Sequence, residues 1–286
     1  MNQKLFREMR KKILKSVGSH LKSVGSHVCH IYCAKPDFII VGAQKSGTTS
    51  LHHTLVQHSS LTGSKKKEIH FFDRDEIYER KNAFDHYHTY FPFPHQIPKG
   101  NLLFETTPIY LYHPKVAARI HDYNPDMKII IVLRDPVERA LSAWTMYHHH
   151  FKTGRNAKWH DPRSFGEAIK DELSRIDDTN YYTDRRALVR RGIYVDQIER
   201  YFASFHQDQI LILESNALKE NLADSINLIT SFLEIEEEAL NPMTLNPSKV
   251  DIKSEYVAEL QHLREFYRPH NEALFKLLGC DFDWND

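Results

Sequence analysis

Cysteine is scarce in this chain: Cys29, Cys33 and Cys280 are all there is in 286 residues, too few to build a disulfide framework. Long apolar runs are missing too. None approaches the roughly 20 residues that span a bilayer, and the N-terminus lacks the apolar core of a secretory leader. There is no excess of charge, since Lys plus Arg and Asp plus Glu are 38 each, so no bulk field favours nucleic acid. These absences set the expectation of a soluble, cytoplasmic protein in a reducing compartment, with no nucleic-acid partner. What is present is 41% hydrophobic and 27% charged, an ordinary globular balance in a length that fits one large α/β domain or two small ones.

Charge is nevertheless uneven along the chain. Residues 1–35 read as a basic appendage: Leu5, Met9, Ile13, Leu14 and Val17 lie near helical spacing among lysines and arginines. K-S-V-G-S-H-L and K-S-V-G-S-H-V then follow back to back, in a register that suits a helix weakened by Gly18 and Gly25. Such a helix either packs on the domain or makes weak contact with a membrane surface. His27, Cys29, His30 and Cys33 are soft ligands, but no second pair with zinc-finger spacing follows, and no metal is expected.

Residues 36–286 carry the pattern of an α/β domain. Phe38–Val41, Asn101–Glu105, Met127–Leu133 and Gln209–Leu213 are short apolar runs of the kind that buried parallel strands show. Between them, helices are expected over Thr48–His58, His113–Tyr123, Val137–His150 and Tyr194–Phe205. Lys152–Arg163 reads as an exposed loop, and Ser254–Leu278 as a helical stripe interrupted near Pro269. Strands alternating with helices predict a three-layer, P-loop-like fold: a central parallel sheet flanked by helices.

The first strand runs into Gly42-Ala-Gln-Lys-Ser-Gly47-Thr48-Thr49, almost the phosphate loop G-x-x-x-x-G-K-[ST]. A strand turning through glycines into a helix start presents free N–H groups to an anion. Lys45, Ser46, Gly47, Thr48 and Thr49 are therefore candidate phosphate contacts. The lysine that reaches a triphosphate is absent, however, since Thr48 stands in its place and Lys45 lies inside the loop. The strand that ends at Leu133 leads into Arg134, a cation where a magnesium-binding carboxylate would be expected. Arg134 and Ser142 suit a second phosphate, held without metal.

These segments resemble the two donor-binding signatures of the sulfotransferases that use 3′-phosphoadenylyl sulfate. The first loop is similar to the one that grips the 5′-phosphosulfate end. Arg134-Asp-Pro-Val-Glu-Arg139-Ala-Leu-Ser142 is similar to the R-D-P-x-x-R-x-x-S element that grips the 3′-phosphate. Lys67-Glu-Ile-His-Phe-Phe-Asp73 resembles the K-E-x-H-F-F-D stretch of the branch acting on heparan-type glycans, and Glu105-Thr-Thr-Pro-Ile-Tyr110, Arg191-Gly-Ile-Tyr194 and Phe266-Tyr-Arg-Pro-His-Asn271 resemble further landmarks of the family. The resemblance implies in-line transfer of a sulfuryl group to an acceptor hydroxyl on a sugar, lipid or small metabolite. It leaves adenosine 3′,5′-bisphosphate and requires no metal. It casts Glu68 as the base, Lys45 as the cation at the leaving phosphate, His70 as an orienting neighbour and Lys249 as a further donor contact. A small-molecule P-loop kinase and a non-catalytic nucleotide-binding module at a membrane surface are the alternatives. His148-His149-His150 reads as helix-terminal stabilisation or part of an acceptor cleft.

Overall fold

A computed structural model of the chain describes residues 34–178, 180, 182, 184, 186–243 and 256–284. The basic appendage up to residue 33, with its repeat and its His/Cys cluster, lies outside the described residues, and so does Lys249. Five strands, β1 (Phe38–Gly42), β2 (Leu61–Gly63), β3 (Leu102–Thr106), β4 (Lys128–Leu133) and β5 (Ile210–Glu214), form one parallel sheet in the order β2-β3-β1-β4-β5. Helices occupy the crossovers: α1 (Thr48–Leu55), α2 (Asp75–Tyr78), α3 (Ala83–His88), α4 (Val116–Tyr123), α5 (Pro136–Thr153), α6 (Phe165–Leu173) and α7 (Tyr194–Ser204). After β5 come α8 (Ser215–Glu220), α9 (Leu222–Leu233) and α10 (Val257–Leu278). This is the three-layer α/β architecture that the alternating pattern predicts.

Phe38–Val41 of β1 and Ile129–Leu133 of β4 are apolar and fully buried because both faces of the sheet are covered. Side chains alternate across a strand, so Ile39, Val41, Ile129 and Ile131 enter one core while Phe38, Ile40, Ile130 and Val132 enter the other. With β1 in the middle, the chain moves out to β2 and β3 on one side and then crosses to β4 and β5. The strand order therefore reverses beside the C-terminal end of β1, where open α/β sheets leave a crevice. A bulge after Ile40 brings Gly42 against Leu111, and a Cβ at position 42 would lie 2.5 Å from the Leu111 Cβ. Only glycine fits there.

Three expectations need correction. The C-terminal stripe is one continuous helix of 22 residues with Pro269 inside it. Proline removes one ladder bond, but Leu263, Tyr267, Asn271 and Leu274 are buried on both sides of it, and the Tyr267 hydroxyl donates to the Val189 carbonyl at 2.6 Å. Packing holds the helix through the break. Residues 152–158 are exposed as expected, but the end of that segment packs down. Asp161 is fully buried with its carboxylate gripped by Arg163 at 2.6 Å, and Trp159 stacks on Tyr147. Finally, the helix after Arg134 runs to Thr153 and stops at Gly154, whose left-handed φ of 67° is the usual helix end.

Candidate active site

A cleft of about 790 Å³ opens at the C-terminal edge of the sheet. The β1–α1 loop forms its floor. Lys45 has a φ of 71° and Gly47 a φ of 90°, so the chain turns sharply and α1 starts at Thr48 with its first N–H groups unpaired within the helix. Lys45, Ser46, Gly47, Thr48 and Thr49 all line the cleft. Lys45 Nζ makes no ion pair with a described carboxylate, and its nearest polar contact is the Met146 sulfur at 3.9 Å. Burial, and then the positive charges of Arg134 and Arg139, lower its pKa. It is a cation held in a place that disfavours it, which a bound anion would relieve.

Arg134 follows β4 and also lines the cleft. Glu138 accepts from its Nε at 3.0 Å and its Nη2 at 2.8 Å, and its Nη1 donates to the Lys45 carbonyl at 3.2 Å. The guanidinium thus braces the first loop from behind. Asp135 and Pro136 explain the rest of the R-D-P element. The Asp135 carboxylate caps α5 by accepting from Val137 N at 2.7 Å and Glu138 N at 3.0 Å, and Pro136 takes the first helical turn, where no N–H is needed. Arg139 is fully buried and donates to the Leu188 carbonyl. Ser142 lies three residues along the same helical face as Arg139. It is 1% exposed, on the inward-turned face of α5.

Glu68 reaches the cleft from the segment after β2. Its backbone is left-handed, with a φ of 60°, and so is that of His70, at 58°. Three of the residues in question thus sit in a conformation that costs a non-glycine residue about 1 kcal/mol or more. Lys67 Nζ donates to Glu68 Oε1 at 2.7 Å, and His70 Nε2 lies 3.8 Å from Glu68 Oε2. The His70 contact, opposed by burial and helped by Lys67, holds the Glu68 carboxyl down at about 2. His70 Nδ1 bonds Asp73 at 2.9 Å; burial pulls its pKa down, but the Asp73 and Glu68 hydrogen bonds outweigh this and raise it. His70 meets the cleft through Glu68.

Residues 35–286 match the sulfotransferase domain family. The chain belongs to that family. This sulfotransferase domain is 27% identical over 274 residues to heparan sulfate glucosamine 3-O-sulfotransferase 3B1 of Homo sapiens, a match that takes in 87% of this chain and 65% of the relative, just under two thirds of it. It is 30% identical over 205 residues to the human bifunctional heparan sulfate N-deacetylase/N-sulfotransferase 3, covering 69% of this chain and 22% of that protein. A sulfotransferase from Alicyclobacillus acidocaldarius of known crystal structure superposes with a TM-score of 0.68 at 27% identity, over 88% of this chain and 100% of that one.

Sequence reasoning missed the far wall of the sulfotransferase cleft. Ser215, Leu218 and Lys219 of α8 line it, together with Met243, whose N–H donates to Thr54. A strand ending in QILILE and followed by Ser215 carries that signal, because residues after a parallel strand belong to the same edge. His150 and Trp159 line the opposite end, whereas His148 and His149 do not. Burial, then the neighbouring His149 and other cations, lower the pKa of His150.

Proposed function

We propose that this chain transfers a sulfuryl group from 3′-phosphoadenylyl sulfate to an acceptor hydroxyl, with the heparan sulfate relatives pointing to a glycan. The observation that carries the reading is the pairing, across one cleft, of a cation without a carboxylate partner, Lys45, and a carboxylate, Glu68. The residues present suit the donor. The loop from Lys45 to Thr49 would hold the 5′-phosphosulfate end, and Arg134 the 3′-phosphate.

In the transfer, the bond between sulfur and the donor's phosphate oxygen breaks as a bond from the acceptor oxygen to sulfur forms. Negative charge grows on the leaving phosphate, and Lys45 supplies the compensating charge. The acceptor's proton passes to Glu68. A carboxyl held at about 2 is a weak base, but the bound donor brings several negative charges into the same cleft and pushes it back up. His70 positions Glu68 and is itself fixed by Asp73.

Adenosine 3′,5′-bisphosphate should raise the melting temperature without magnesium, by a linkage of about 2.7 kcal/mol at a hundredfold excess over Kd. Glu68→Gln should leave that binding within about threefold of wild type and lower turnover by about 10²–10⁴-fold, once an acceptor is found from a panel of glycans. Stabilisation by ATP with magnesium alone would point to phosphoryl transfer instead.

A further inference from the structure

Glu105 lies at the end of β3, fully buried, and no step above uses it. Its three hydrogen-bond donors are hydroxyls: Tyr87 at 2.6 Å and Tyr110 at 3.4 Å to Oε1, and Thr107 at 2.9 Å to Oε2. Two of these hydroxyls face a second way. Thr107 Oγ1 accepts from the Ile69 N–H at 3.1 Å, and the Tyr110 oxygen accepts from Phe71 N–H at 2.9 Å and Phe72 N–H at 3.4 Å. The Glu68 N–H itself donates to the Thr106 carbonyl at 2.9 Å.

The segment from Glu68 to Asp73 forms no helix or strand. Its amides therefore find partners elsewhere, and almost all of those partners belong to β3 and the turn that follows. A hydroxyl has one proton and two lone pairs. Because the carboxylate takes the protons of Thr107 and Tyr110, their lone pairs remain for the amides of residues 69, 71 and 72. Once ionised, Glu105 is a buried group that accepts only, and this sets the polarity.

We propose that Glu105 is a positioning residue that orients the Thr107 and Tyr110 hydroxyls toward the backbone of residues 69–72 and so holds Glu68 and His70 in their left-handed conformations at the cleft. This rests on the reading of Glu68 as the base. The surroundings fit a group with a task of its own. Burial, opposed by the three hydroxyls and helped by Asp73, pushes the Glu105 carboxyl up to about 7. Tyr123 of α4 and Tyr201 of α7 also feel its charge. An apolar side chain would fill this place more cheaply if packing alone mattered.

The test uses the full chain and needs no acceptor. Thr107→Val keeps the shape and removes the hydroxyl, Thr107→Ser restores it, and Tyr110→Phe cuts the second link. Amide exchange at Ile69 should rise about tenfold in Thr107→Val, as for one lost hydrogen bond, and at Phe71 and Phe72 in Tyr110→Phe. The His70 titration, followed by NMR, should fall back toward 6.5 in both. Thr107→Ser should restore exchange and titration together. Unchanged exchange and an unchanged His70 titration in folded Thr107→Val or Tyr110→Phe would overturn the proposal, as would equal effects of Ser and Val at position 107. Binding of adenosine 3′,5′-bisphosphate separates the two readings. Its absence in wild type counts against sulfuryl transfer, whereas its retention in variants with a rigid 68–73 segment counts against the role of Glu105 alone.

Discussion

His52 and Glu105 are buried on either side of the same strand end and should give the protein opposing responses to pH. His52 Nδ1 bonds the Thr106 hydroxyl at 2.9 Å, and burial, then the charges of His53 and Lys67, lower its pKa from 6.5 to about 4. As pH falls through that window the unfolded chain takes up a proton that the folded one refuses, and stability drops by about 3 kcal/mol. Glu105 is raised from 4.5 to about 7, so over that window the folded chain keeps a proton that the unfolded one releases. Its contribution therefore falls by about 3 kcal/mol as pH rises. Between 4.5 and 6.5 the two slopes cancel. The variants His52→Gln and Glu105→Gln should expose them. Measured by urea unfolding against wild type at each pH, the first should gain relative stability as pH is lowered from 6.5, and the second as pH is raised from 4.5. The difference from wild type removes the contributions of all other titrating groups. Profiles that run parallel to wild type would refute the burial argument for either residue.

Lys45→Ala should weaken the bisphosphate by about 10–150-fold, the loss of one charge-assisted contact. The empty protein should be at least as stable as wild type, since the cation has no described carboxylate partner; calorimetry with and without the bisphosphate reads both. Arg134→Ala should harm binding of adenosine 3′,5′-bisphosphate much more than that of adenosine 5′-phosphate, with a smaller loss for the latter because Arg134 also braces the Lys45 carbonyl; equal losses would separate Arg134 from the 3′-phosphate. Gly42→Ala should destabilise by about 1–3 kcal/mol through overpacking against Leu111, visible as a lower melting temperature.

The sheet was legible because its central strands are buried on both faces and read as continuous apolar runs; β4 is the clearest case. β2 was not, because it is three residues long and is defined by its pairing with β3 rather than by its own sequence. α6 was overlooked although Ser164 and Glu167 form a capping box, a signal present in the letters. The two candidate phosphate segments were readable as local patterns, since a strand end and a helix start form each from neighbouring residues. The Glu105 network was not: Tyr87, Thr107, Tyr110 and the amides of 69–72 come from separate elements, and only the fold brings them together. Ser142 lies on the face of α5 that turns inward, which spacing alone did not reveal.

The bond from Arg134 Nη1 to the Lys45 carbonyl joins the two proposed anion grips into one frame. A ligand with two charged ends meets both grips at a separation set by the sheet, so the second contact forms at high effective concentration once the first is made. On the proposed reading the cleft would work as a ruler. It would favour nucleotides by the distance between their anionic groups, and shortened or lengthened analogues would lose one contact together with the gain in effective concentration that the other provides.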